Sequence, residues 1–233
     1  MGIYDNVMRV REGIARAAAA AGRPKGDITL VAVSKTFGAD KINEAVAAGA
    51  LDIGENYVQE FTEKLPQIDK SATLHFIGHL QSNKVRHVVG KVKYIQSCDR
   101  MSLAGEIERQ AEKLGIVQDV LIEVNAGNEA SKSGVSIEGA QDLIFQLGEL
   151  PHIRVCGLMA IPPHNDDPAA SRLHFERLYH LFLDIRGKKT DNSTNQMSIL
   201  SMGMSGDYEE AIRCGSNMVR VGTAIFGQRT YTK

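Results

Sequence analysis

The sequence is sparing with cysteine, and Cys98, Cys156 and Cys214 lie far apart, form no C-x-x-C pair and leave an odd number. That argues against a disulfide framework and a zinc site, and it points to a reducing compartment. Long apolar runs are also missing. Asp5, Arg9, Arg11, Glu12 and Arg16 break up stretch 1–23 before a signal-peptide core can form, and no later stretch has the length of a membrane span. A cytoplasmic protein without a membrane partner is the expectation. Charge of one sign is lacking too: 27 Lys and Arg stand against 28 Asp and Glu, for a formal net charge of −1. No long-range field would draw in nucleic acid, whereas a small anion needs only local donors. Low-complexity segments are absent. Only 162–168 and 188–196 read as exposed loops, and neither separates two domains. The 233 residues, 43% hydrophobic and 24% charged, are therefore expected to form one domain over 1–233.

What is present is alternation. Ile3, Val7, Val10 and Ile14 recur at helical spacing and predict an N-terminal helix. Strand-like runs follow at 28–34, 51–54, 74–78, 94–97, 120–125, 155–159, 199–202 and 218–221, and each except the last leads into a helix-like segment. The clearest of those helices are 40–50, 100–115, 136–150, 168–186 and 205–215. Strands alternating with helices imply parallel crossovers, and eight of them in this length fit a single (β/α)8 TIM barrel with an additional N-terminal helix. An open doubly wound sheet is the alternative, but no strand is followed by G-x-G-x-x-G.

In such a barrel function gathers at the carboxyl ends of the strands. Lys35 ends the first apolar run, where desolvation would lower its pKa toward the neutral amine that attacks an aldehyde. The structural alternative is a lysine that snorkels to solvent. The second strand ends in Gly54-Glu55-Asn56-Tyr57 and the third in Gly78-His79-Leu80-Gln81-Ser82-Asn83-Lys84. Ser205 stands where a helix should begin, with Asp207, Glu209 and Glu210 just after it, so it reads as an N-cap that can turn its hydroxyl to a phosphate. Gly222 and Thr223 follow the last strand and offer two N–H groups and a hydroxyl, which matches the phosphate site that barrels build after strands seven and eight. Arg220 precedes Gly222 by two, so alternation sends both toward one face, which Gly222 leaves open. A buried Arg220 needs an acceptor, either a carboxylate such as Glu55 or Asp207 or a ring nitrogen of a ligand.

Other reactive-looking residues carry less. His75, His79 and His87 lack a carboxylate partner at fixed spacing and no H-E-x-x-H occurs, so no metal is expected. Met159, Met202 and Met204 read as pocket wall or core. Cys98 beside Asp99 reads as a small buried hydrophobe, because the carboxylate raises the thiol's pKa.

Six blocks in order carry a resemblance: 28–36 (ITLVAVSKT), 54–60 (GENYVQE), 75–84 (HFIGHLQSNK), 157–161 (GLMAI), 200–205 (LSMGMS) and 219–227 (VRVGTAIFG). Together they resemble the pyridoxal phosphate homeostasis proteins, also called pyridoxal phosphate-binding proteins, over essentially the whole chain. The resemblance implies an alanine-racemase-like barrel holding pyridoxal 5′-phosphate. Lys35 would be the Schiff-base lysine, and Ser205, Gly222 and Thr223 would hold the phosphate. Arg220 would face the pyridine nitrogen and Asn56 would lie beside the ring. The loop 162–168 and the tail 229–233 carry no such transfer.

An arginine opposite the pyridine nitrogen disfavours its protonation and weakens the ring as an electron sink. Racemisation also needs a second acid or base. In the related alanine racemases a tyrosine of a further C-terminal domain supplies it, and here the chain is expected to leave no room for that domain. The expectation is a noncatalytic carrier involved in intracellular pyridoxal phosphate homeostasis, passing the cofactor to apoenzymes. One rival is a one-domain racemase with Lys35 as one base and Tyr57, His79 or a water as the other. Another is a regulatory module whose surface changes on losing the cofactor. Balanced charge and the lack of a dimer stripe make a monomer the default.

Overall fold

The computed structural model describes residues 2–127, 133–162, 168–188 and 196–228. Most of the loop 162–168, most of 188–196 and the tail 229–233 therefore lie outside the described residues. Eight parallel strands close into a barrel in sequence order: β1 (Thr29–Val33), β2 (Asp52–Glu55), β3 (Thr73–Phe76), β4 (Tyr94–Cys98), β5 (Gln118–Val124), β6 (Ile153–Ala160), β7 (Ile199–Ser201) and β8 (Met218–Val221). The helices are α1 (Ile3–Ala20), α2 (Ala39–Ala47), α3 (Val58–Lys64), α4 (Met101–Leu114), α5 (Ile137–Leu147), α6 (Pro168–Gly187), α7 (Tyr208–Arg213) and α8 (Thr223–Phe226). The expected (β/α)8 barrel with an N-terminal helix is the fold observed.

Strand β5 shows why these runs form. Every residue of Gln118–Val124 is buried, as a parallel strand covered on both faces requires. Val120, Ile122 and Val124 pack outward under the helices, while Leu121 packs with Val31, Cys156, Met159 and Met218 inside the barrel. Helix α4 buries Leu103, Ala104, Ile107 and Ala111 along one stripe and stops at Gly115, whose φ of 63° suits glycine.

Three expectations are corrected. The third strand leads into a 3-10 turn over Ser82–His87 rather than an α-helix. The last strand is followed by a helix after all, the single turn α8. The helix expected from Ser205 starts at Tyr208. The shortness of α8 accounts for α1. Four residues cannot cover the outer face of β1 and β8, and Val7, Val10, Ile14, Ala17 and Ala18 of α1 share one buried cluster with Leu30, Ala32, Val219, Val221 and Ile225. Among the described residues no helix is long and apolar enough to cross a membrane.

Candidate functional site

Strand register assembles the carboxyl-end rim. β1 pairs with β2 at Val33↔Gly54 and with β8 at Ala32↔Val221. The Ser34 N–H still donates to the Gly54 carbonyl at 3.0 Å, and Lys35 lies in the turn that follows, at the end of the strand flanked by β2 and β8. Lys35 is half-buried.

Both neighbours of Lys35 are tied down. The Ser34 hydroxyl donates to Glu55 Oε1 at 2.6 Å. Thr36, the one non-glycine residue with positive φ (72°) among the described residues, donates its N–H to Glu60 Oε2 at 2.8 Å. Lys64 joins the two carboxylates, at 3.1 Å to Glu55 Oε1 and 2.7 Å to Glu60 Oε2. Burial pushes the Glu55 carboxyl above its ordinary value, and Ser34 and Lys64 pull the other way. Burial also acts on Glu60, but hydrogen bonds from Lys64 and Thr36 hold it below its ordinary value.

On the β8 side of β1, Ser205 Oγ accepts the N–H groups of Gly222 at 3.2 Å and Ala224 at 3.3 Å. This corrects the N-cap expectation: Asp207 occupies the N-cap of α7 and accepts the Met204 N–H at 2.6 Å. Ser205 instead bridges the loop after β7 to the turn after β8. Thr223 is exposed at the first position of α8. The open face expected at Gly222 is also corrected, since the chain turns there and an added Cβ would lie 3.3 Å from the Val33 carbonyl oxygen.

Arg220 is buried inside the barrel. It pairs with neither Glu55 nor Asp207; Nη1 donates to Ser201 Oγ and Nη2 to the Ala160 carbonyl, each at 2.8 Å. Burial lowers its pKa to about 10, against the pull of Glu123 and Asp207. Glu123, two residues along β5 from inward-facing Leu121, is buried, and burial together with Asp99 raises its carboxyl to about 7.

Asn56 lines an open cleft of about 570 Å³ with Tyr57, Glu60, His79 and Lys84. His79 lies exposed there, 3.3 Å from the Ser133 hydroxyl. Cys98 is fully buried, and burial followed by Asp99 pushes its thiol up to about 12. Among the described residues no group of three His, Cys, Asp or Glu is placed to hold a metal ion.

The rim suits an anionic aromatic aldehyde. Two N–H groups converge on one hydroxyl at long hydrogen-bond distance, which is the donor arrangement a phosphate takes. Asn56 Oδ1 is buried without a hydrogen-bond partner, a polar atom for a bound ring substituent to satisfy. Arg220 is buried in the same barrel, and Lys35 follows β1, the strand paired with β8. Sequence reasoning missed Ala224, Glu60, Lys64 and Glu123. Of these, Glu123 was visible as an acid at inward register with Leu121.

The alanine racemase, N-terminal domain, family model matches residues 6–230. A pyridoxal phosphate homeostasis protein of Aquifex aeolicus is 43% identical over 232 residues, covering 99% of this chain and 100% of that protein. A crystal structure of an unknown protein from Bifidobacterium adolescentis superposes with a TM-score of 0.90 at 38% identity, covering 96% of this chain and 94% of that one. PipY of Synechococcus elongatus with PLP bound superposes with a TM-score of 0.78 at 31% identity, covering 92% of this chain and all (100%) of PipY. An unbroken match across the barrel, at identities this high, makes the chain a member of the alanine racemase N-terminal-domain family and, within it, of the pyridoxal phosphate homeostasis proteins.

Proposed function

We propose that this protein binds pyridoxal 5′-phosphate reversibly and serves intracellular cofactor homeostasis as a holder rather than as a catalyst. The observation that carries the reading is the rim itself, with Lys35 between Asn56 and the Gly222 turn. The naming of the relatives and PLP bound to PipY support it.

When bound, the cofactor supplies an aldehyde that condenses with a primary amine and releases water. Lys35 is the amine this reading assigns to that reaction. Ser205, Gly222 and Thr223, joined by the Ala224 N–H, hold the phosphate, and Asn56 lies beside the ring. Arg220 faces the pyridine nitrogen. A guanidinium has only donors, so it favours the unprotonated nitrogen and a weak electron sink. That suits storage better than carbanion chemistry. The half-buried setting of Lys35 and the exposed Thr223 suit exchange with recipient apoenzymes in the cytoplasm.

The test is to load the protein, mix it with an aminotransferase apoenzyme, and follow both recovered transaminase activity and deuterium entry at the α-carbon of amino acids in D2O. Transfer without deuterium entry supports a holder. Deuterium entry lost in Lys35→Ala would identify a racemase instead.

A further inference from the structure

Arg220 is the upper end of a hydrogen-bonded chain that crosses the barrel interior. Its Nη1 donates to Ser201 Oγ at 2.8 Å. The Ser201 hydroxyl donates to Gln96 Oε1 at 2.8 Å. Gln96 Nε2 lies 2.9 Å from His75 Nδ1 and 3.3 Å from Met218 Sδ. His75 Nε2 lies 3.0 Å from Asp52 Oδ1. Arg220, Ser201, Gln96 and His75 are buried, whereas the Asp52 side chain is 31% exposed. Asp52 starts β2 and lines a cleft of about 580 Å³ beside α1, at the floor of the barrel. The chain thus joins a carboxylate at the floor to the cation at the mouth.

An acceptor-only carboxylate at one end and a donor-only guanidinium at the other ask for the same direction of every bond in it. A neutral imidazole has one N–H, and against a carboxylate that N–H must be on Nε2. Nδ1 is then an acceptor, so Gln96 must present its NH2 group there, and the Met218 sulfur asks for the same orientation. Gln96 Oε1 is left facing Ser201, whose only proton must go to it. A Ser201 lone pair therefore faces Arg220 Nη1, and with the Ala160 carbonyl it holds both terminal nitrogens of the guanidinium. Reversing the polarity at the floor would turn a donor toward Arg220, which has no acceptor.

We infer that Asp52, with His75 and Gln96, is a positioning device for Arg220: the floor carboxylate matches the one chain polarity the guanidinium accepts and so holds in place the group that meets the pyridine end of the cofactor. None of the three touches the ligand. The inference rests on the proposed pyridoxal phosphate site.

Its test combines two measurements. Long-range 1H–15N spectra of the ligand-free protein read the His75 tautomer, which is expected to be pure Nε2–H. Pyridoxal phosphate and inorganic phosphate are then titrated separately into the wild-type protein, Asp52→Leu, Asp52→Asn and Gln96→Leu, with folding checked by thermal melts. Asp52→Leu and Gln96→Leu are expected to weaken pyridoxal phosphate binding about tenfold, the loss of one hydrogen bond's orientation, and to move the absorption maximum of the bound chromophore. Inorganic phosphate affinity should stay unchanged. Asp52→Asn keeps an acceptor oxygen and should restore the wild-type ratio. A protonated Nδ1 in the wild-type protein, or an unchanged ratio in folded Asp52→Leu and Gln96→Leu, overturns the inference. So does an equal loss of both ligands, which a merely structural role would give. A wild-type protein that takes up no pyridoxal phosphate overturns the proposed function instead, while the tautomer result stands independently.

Discussion

Glu60 reaches back from α3 to accept the backbone N–H of Thr36 at 2.8 Å, one residue beyond Lys35. A β-branched residue at φ 72° is held against its own preference, at a cost on the order of 1–3 kcal/mol. The turn that presents Lys35 is therefore defined by contacts rather than by local propensity. Thr36→Gly should leave stability unchanged or raise it by up to about 1 kcal/mol. Glu60→Ala should destabilise the turn and weaken pyridoxal phosphate binding about tenfold. Melts and equilibrium titration of both variants check this, and a Glu60→Ala protein with wild-type affinity would show the tether to be idle.

Lys64 is the cation on which buried Glu55 depends. Lys64→Met leaves that carboxylate without its counter-charge, a change that costs about 3–5 kcal/mol when a buried pair is broken. Glu55→Gln in the same chain should return most of the loss, because the amide needs no cation. Denaturant unfolding of the two single variants and the double variant measures the coupling; additive losses would contradict it.

Ser205→Ala removes the acceptor shared by the Gly222 and Ala224 N–H groups. Pyridoxal phosphate binding should weaken by about one to two orders of magnitude if the hydroxyl contacts the phosphate, while the affinity for pyridoxal, which lacks the phosphate, should change little. Equal losses for both ligands would remove Ser205 from the phosphate site.

Glu123 makes stability depend on pH in a defined direction. Its carboxyl titrates near 7 in the fold against an ordinary 4.5. Between those values the folded protein binds the proton more tightly than the unfolded chain, so stability falls as pH rises from about 4.5 to 7 and levels off above. The ceiling is about 3 kcal/mol for the whole window. Glu123→Gln should flatten that part of the profile, and chemical denaturation at several pH values, with and without the substitution, measures the difference.

Much of the fold was legible because each strand of a parallel barrel is a short apolar run between helices, as 120–125 and 218–221 show. The rim residues Lys35, Asn56, Gly222 and Thr223 follow from knowing where those runs end. What stayed hidden depends on partners distant in sequence. Ser205 reads as a helix cap locally, and only the fold brings it to N–H groups 17 and 19 residues away. Gln96 and His75 look like isolated polar residues in their strands, and Gln96 meets Ser201 across 105 residues. The tether on Thr36 is invisible for the same reason: nothing in 34–36 announces that Glu60 will return to it.

The most direct test of Lys35 as the cofactor-binding amine is borohydride reduction of the pyridoxal phosphate-loaded protein, followed by peptide mapping, in the wild-type chain and in Lys35→Ala. The expected result is a reducible yellow absorbance in the wild-type protein, a pyridoxyl mass on the peptide containing Lys35, and loss of both in Lys35→Ala with phosphate binding retained. A pyridoxyl group on another lysine, or a protein that stays colourless with added cofactor, would contradict it.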